Sequence, residues 1–188
     1  MSQRRAEATS PCRTVAFLRG INVGGKNKLP MAALVETLQA LGLQNVRTYI
    51  QSGNAVFDSN RKPSARLSED IAASVEERHG FRPGVVLVGV NDLERSIAAN
   101  PFPEAASEPK TLHLFFFATA PKHPDVESLE RLRAPDEEFH LATRVLYLHA
   151  PNGMARSKLA TGVGRHLGVP VTARNWRTVQ AVRDLAIA

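Results

Sequence analysis

The order of apolar strands and amphipathic helices in the first half of this chain is repeated in the second, and that doubling limits the fold more than any single motif. A strand at 14–19 is followed by a helix at 30–41, strands at 45–51 and 54–58, a helix at 64–79 and a strand at 84–89. The first helix carries Leu34, Leu38 and Leu41 on one stripe and stops at Gly42. The second carries Leu67, Ile71 and Val75 on one stripe and stops at Gly80, because glycine closes a helix in the left-handed conformation without strain. A short helix from Asn91 to Asn100 and a proline-rich link (Pro101, Pro103, Pro109) follow. Strand 111–118, helix 124–133, strands 136–141 and 144–149, helix 155–167 and strand 169–173 then repeat the order, and a closing helix begins at Asn175. Asn91 and Asn175 are suited to cap those closing helices. The glycine stops recur with a proline close behind, as Gly80-Phe81-Arg82-Pro83 and Gly168-Val169-Pro170. Side-chain identity between the halves is low, so what repeats is element order.

The order β-α-β-β-α-β predicts an α+β fold of two tandem ferredoxin-like halves packed as one unit, each followed by a short helix. The halves span 13–100 and 110–188, joined by the link at 101–109. Strand 111–118 is apolar on both sides (Leu112, Leu114, Phe116 against His113, Phe115, Phe117), which predicts burial of both faces between packed layers. We expect the first and third strands of each half to run parallel and leave the sheet at one edge. That would set the Gly20–Lys28 loop beside Asn60-Arg61-Lys62, and the Thr119–His123 loop beside the Arg156–Lys158 turn, with Arg174–Arg177 at the opposite edge.

No run of about 18 apolar residues is present, so no membrane span is expected. Residues 1–12 are polar, lack the apolar centre of a secretory signal and read as a disordered extension. One cysteine, Cys12, excludes an internal disulfide or a thiolate zinc cluster, and the expectation is a soluble cytoplasmic protein. The histidines show no metal-ligand spacing and no G-x-S-x-G occurs, so neither a metal, a cofactor nor a serine nucleophile is expected. The formal charge is +6, and the segment from Arg144 onward carries seven basic residues against one acid, Asp184. A second basic zone holds Arg13, Arg19, Lys26 and Lys28 with no acid between Glu7 and Glu36. Clustering of this kind favours an anionic partner.

Three segments are candidate binding sites. In Arg19-Gly20-Ile21-Asn22-Val23-Gly24-Gly25-Lys26-Asn27-Lys28, the glycines free backbone N–H groups to converge while Arg19, Lys26 and Lys28 supply positive charge. Gly20-x-x-x-x-Gly25-Lys26 opens like a P-loop, but Asn27 replaces the magnesium-binding hydroxyl and Pro30 starts the helix after the lysines, so the choice lies between an anion nest and a structural loop. Arg156-Ser157-Lys158 sets two cations and a hydroxyl at a helix start, where the dipole attracts anions; a solvated first turn is the plainer reading. Arg174-Asn175-Trp176-Arg177 offers a stacking surface, although a tryptophan in a first helical turn more often packs beneath it. No catalytic base or nucleophile is identified.

The strings Leu18-Arg19-Gly20-Ile21-Asn22-Val23-Gly24-Gly25-Lys26-Asn27 and Arg47-Thr48-Tyr49-Ile50-Gln51-Ser52-Gly53-Asn54 resemble the bacterial domain of unknown function 1697 (DUF-1697). Arg156-Ser157-Lys158-Leu159 and Arg174-Asn175-Trp176-Arg177-Thr178-Val179 are similar to that family's later motifs. The resemblance covers residues 13–187 and implies a duplicated ferredoxin-like fold, with no catalytic residue to carry over. Ala155 and Ala173 depart from the family's usual glycine and threonine. The leading expectation is a module that binds a phosphorylated or anionic small molecule at Arg19–Lys28, with the later basic segments assisting. Nucleic-acid binding through the basic C-terminal third, action on a phosphorylated metabolite as an enzyme, and a structural role are the alternatives.

Overall fold

The computed structural model describes residues 11–188. The chain runs β1 (Cys12–Arg19), α1 (Met31–Ala40), β2 (Gln44–Tyr49), β3 (Asn54–Ser59), α2 (Ala65–His79), β4 (Gly84–Gly89) and α3 (Val90–Ala98). The same order returns as β5 (Leu112–Phe117), α4 (Val126–Leu132), β6 (Glu138–Leu141), β7 (Val145–His149), α5 (Lys158–Leu167), β8 (Val171–Asn175) and α6 (Trp176–Ile187). Residues 1–10, where most of the expected extension falls, lie outside the described residues, while Cys12 already belongs to β1.

The result is a mixed α+β fold with two four-stranded antiparallel sheets, ordered β2-β3-β1-β4 and β6-β7-β5-β8. β1 pairs antiparallel with both β3 and β4, which corrects the expectation that first and third strands run parallel. The helix after β1 carries the chain back to the starting end, so β2 runs with β1, and the hairpin to β3 reverses the direction. The neighbours of each loop change accordingly. Leu18 N–H donates to Gly53 O at 2.7 Å, so the end of β1 meets the β2–β3 turn and not Asn60-Arg61-Lys62. Phe117 N–H donates to Arg144 O at 3.1 Å, whereas Ala150, which leads toward Arg156–Lys158, donates to Thr111 O at 2.8 Å at the other end of β5. The Thr119–His123 loop therefore lies away from that turn.

Strand alternation divides the apolar residues into three clusters. Val15, Phe17, Val56 and Val88 of the first sheet face Leu114, Phe116 and Tyr147 of the second, forming a central core shared by both halves. At its middle the Phe17 and Phe116 rings stack with centroids 4.9 Å apart. Opposite faces hold Ala16, Leu18 and Phe57 against α1 and α2, and Phe115, Phe117 and Leu148 against α4 and α5. β5 is thus buried on both faces, as its composition predicts. Each closing helix reaches the other half. Trp176, Val179 and Val182 of α6 enter the central core, and Tyr147 Oη of β7 donates to Ser96 O of α3 at 2.8 Å. Burying an aliphatic or aromatic side chain of this size stabilises by about 1.5–3 kcal/mol, so the shared core is a large contribution to holding the halves together.

Helix ends follow local chemistry. Gly80 and Gly168 close α2 and α5 at φ 77° and 64°. Asn175 caps α6 by accepting from Thr178 N–H at 2.9 Å. Asn91 caps nothing: α3 starts at Val90, directly after the extended Gly89, with no side-chain cap, because β4 runs straight into the helix. α5 starts at Lys158, later than expected, because a single 3-10 turn at Met154–Arg156 precedes it and Ser157 takes the cap position. Within the proline-rich link, Glu104–Ser107 forms another 3-10 turn and Ala105 enters the central core.

Candidate functional site

The glycine-rich loop is a tight hairpin. Asn22 N–H donates to Asn27 O and Lys26 N–H to Val23 O, each at 3.0 Å, with Gly24 and Gly25 at φ 57° and 74° at the tip. Positive φ at both central residues is the hairpin-turn geometry that glycine favours. Two amides expected to serve an anion are therefore spent inside the hairpin. Asn22, itself at φ 53°, fixes the base: its side chain accepts from Leu29 N–H at 2.8 Å and donates to Leu29 O and Gln51 O. Asn27 Nδ2 donates to Gly20 O at 2.7 Å. Lys26 and Lys28 stand exposed.

Arg19 turns away from these lysines toward the second half. Its Nη1 donates to Val171 O of edge strand β8 at 3.1 Å. There it forms one wall of a cleft of about 660 Å³. The other walls come from the Met154–Arg156 turn, which gives Met154 and Ala155, and from α5, which gives Ala160, Thr161, Gly164 and Arg165. Those four α5 positions share a helix face, while Leu159 and Val163 point into the outer core of the second half. Among the described residues, the lining holds two guanidinium groups and no carboxylate. Neither Arg19 nor Arg165 has a carboxylate partner among the described residues. The floor is made of small or apolar residues, and Gly164 keeps it low: a Cβ there would lie 3.2 Å from Val171 Cγ2.

The structure thus joins Arg19 with the Met154–Ala155 segment and leaves the rest of the expected set elsewhere. Arg156 and Lys158 are exposed beside the cleft. Ser157 is buried and occupied, accepting from Ala160 N–H at 2.9 Å as the α5 cap. Trp176 is buried in the central core with 8% exposure, and Arg177 is exposed. Arg165 and Thr161 were missed by sequence reasoning. Their signal was their spacing, four apart on the helix face opposite Leu159 and Val163, flanked by Ala160 and Gly164.

Arg174 is a rivet between the halves. Its Nε donates to Asn54 Oδ1 at 2.5 Å, Nη1 to Thr172 Oγ1 and Ala173 O, and Nη2 to Leu18 O at 2.7 Å and Ser52 O at 3.0 Å. The guanidinium lies over the Phe17 ring, 5.2 Å from its centroid. Burial pushes its pKa down to about 10, so it remains a cation at neutral pH.

Residues 12–147 match the family described as "Protein of unknown function (DUF1697)". The chain belongs to that family. This DUF1697 protein also resembles the conserved bacterial protein SP0830 from Streptococcus pneumoniae. That structure aligns with a TM-score of 0.68 at 27% identity, covering 94% of this chain and 99% of that one. No protein with a curated description matches. The family match takes in Arg19 and the glycine hairpin and ends before α5, so the Arg165 wall lies beyond the matched segment. Among the described residues, no helix is long and apolar enough to cross a membrane, and no group of three or more His, Cys, Asp or Glu is placed to hold a metal ion.

Proposed function

We propose that this DUF1697 protein binds a phosphorylated or otherwise anionic small molecule in the cleft between Arg19 and Arg165. The observation that carries the reading is the pair of arginines lining one cleft with no carboxylate among the described residues to neutralise them. Arg19 uses one donor on Val171 O and keeps the remaining N–H groups of its planar fork for a ligand. Arg165 closes the opposite side beside Thr161, whose hydroxyl donates to Ser157 O at 3.1 Å, and the apolar floor suits a ligand with a compact uncharged body. The same geometry supports reading each half as ferredoxin-like, since both sheets have the second-third-first-fourth strand order and carry two helices on the outer face. The free thiol of Cys12 fits a reducing compartment.

A thermal-shift and calorimetric panel of inorganic phosphate, nucleoside monophosphates, sugar phosphates and short RNA tests the reading. At least one phosphorylated small molecule should bind saturably. Arg19→Ala and Arg165→Ala should each weaken it by about tenfold, the scale of a charge-assisted hydrogen bond. Lys26→Ala, at the tip of the hairpin, should have a smaller effect. A panel with no compound-specific stabilisation, or binding indifferent to Arg165→Ala, would overturn the proposal. Binding to mixed RNA alone, with steep salt dependence, would replace it with the nucleic-acid reading.

A further inference from the structure

The strand registers make the two halves comparable residue by residue. Phe17 pairs with Asn54 and Val86, and Phe116 pairs with Val145 and Thr172. Val88 pairs with Val15 as Arg174 pairs with Leu114. Arg174 is therefore the counterpart of Val88, Asn54 of Val145, and Gly53 of Arg144. At the first position the Arg174 guanidinium fills the notch over Phe17 and satisfies Leu18 O, Ser52 O and Asn54 Oδ1. At the second, the shorter Val88 leaves the equivalent notch over Phe116 open as a pocket of about 350 Å³ under α3.

The chemistry of that open notch is reversed. Its floor is Val88, Phe116, Val145 and Tyr147, all buried and apolar or aromatic, and the Tyr147 hydroxyl is already committed to Ser96 O. Charge sits at the mouth. Arg95 is neutralised by Asp92. Among the described residues, Arg144 donates only to the backbone carbonyls Ala118 O and, more weakly, Phe117 O, at 2.8 and 3.4 Å, and forms no ion pair with a carboxylate. The mouth opens into a second depression that shares Asp92, Arg95 and Arg144 and adds Lys62 and Arg13, the latter paired with Asp58. An apolar hole of this size with a cationic rim has the make-up of a small-ligand pocket. We propose that it is a second ligand site, independent of the Arg19–Arg165 cleft, for an amphipathic anion. The hydrocarbon or aromatic body would occupy the notch that Arg174 fills in the other half, and the anionic head, a carboxylate, would meet Arg144.

Isothermal titration of the full chain with decanoate and with 1-decanol tests this. Decanoate should bind one per chain, more tightly than decanol. Arg144→Glu should weaken decanoate by about tenfold or more while leaving decanol unchanged, and Arg144→Lys should stay within about threefold of wild type. Ala99→Trp, on the exposed rim at the end of α3, should block both ligands and keeps the test decisive if Arg144→Glu does not fold. Arg165→Ala should leave decanoate binding unchanged. Absence of saturable decanoate binding overturns the proposal. So does binding that survives both Arg144→Glu and Ala99→Trp, or binding abolished by Arg165→Ala.

Discussion

Arg174→Ala is expected to destabilise the protein by about 3 kcal/mol, and the figure follows from what the guanidinium leaves behind. Asn54 is fully buried and Leu18 nearly so, which means that Asn54 Oδ1 and Leu18 O lose a charged donor where water cannot enter freely. An orphaned buried acceptor costs about 1–3 kcal/mol, and two of them dominate the sum. Losing the cation stacked on Phe17 adds about 1 kcal/mol. Against this, the mutant no longer buries a charge, and that recovers a part of the loss, on the order of 1–2 kcal/mol. Ser52 O, at the surface, rebinds water and contributes little. Urea unfolding followed by Trp176 fluorescence reads the change as a lower midpoint at an unchanged slope, since the surface exposed on unfolding is the same. Arg174→Lys should recover less than half of the loss, because an ammonium group cannot reach Asn54, Thr172 and Leu18 from one point. A loss below about 1 kcal/mol for Arg174→Ala, or a lysine variant as stable as wild type, would refute the assignment of this residue as the seam between the sheets.

Other expectations concern the loops and edge strands around the seam. Gly53 has φ 77°, and a Cβ there would lie 2.7 Å from Ile21 Cδ1 and 2.9 Å from Leu18 Cβ, so Gly53→Ala should cost about 2–3 kcal/mol in the same urea assay. Ile50 is held at φ 48° with 51% exposure, a conformation that a β-branched residue resists; Ile50→Gly should raise the stability by about 1 kcal/mol, read as a higher melting temperature. Hydrogen bonds from Arg13 to both carboxylate oxygens, opposed by burial and helped by Asn45, hold the Asp58 carboxyl below its ordinary range. Its stabilisation is thus fully present above the unfolded carboxyl pKa of about 3.9 and fades as pH falls through the lower folded value. Asp58→Asn should make the stability profile flatter in that acid window, and an unchanged acid limb would remove Asp58 from the account.

Helix positions and stops were legible because they rest on local chemistry: the Leu67, Ile71 and Val75 stripe and the left-handed Gly80 and Gly168 leave their marks within a few residues. Burial of both faces of β5 was legible for the same reason. Strand direction in the sheet was not read correctly, although it follows from counting reversals through one helix and one hairpin. Arg174 illustrates what sequence does not carry. Its charge groups it with the candidate ligand residues, yet its partners are mostly backbone carbonyls, which leave no signature in the sequence. Adjacency in sequence places Arg19 with the glycine loop, whereas the end of β1 aims it at β8, a partner set by how the sheets face each other. Asn22 and Asn27 were readable in principle: asparagine tolerates positive φ, and its side chain can tie a loop to its own backbone.

The two halves have the same strand order yet differ at the positions that line the seam between the sheets. The shared core creates two equivalent notches, one on each side of the Phe17–Phe116 stack. A notch lined by Asn54 and by carbonyls is acceptor-rich, so a cation from the chain itself can fill it at low cost. Replacing Asn54 by its counterpart Val145 removes the acceptor, and replacing Gly53 by its counterpart Arg144 brings in a cation, so an arginine at position 88 would meet an apolar wall and a like charge. Valine there is the compatible choice, and the space it leaves is the consequence. The same divergence separates Arg19 from its counterpart Ala118, whose methyl group is too short to extend across the seam. One side of the interface is therefore used for cohesion through Arg174. The cleft at Arg19 and the notch at Arg144 have cations without acidic partners among the described residues, which is why the two proposed sites fall at those places.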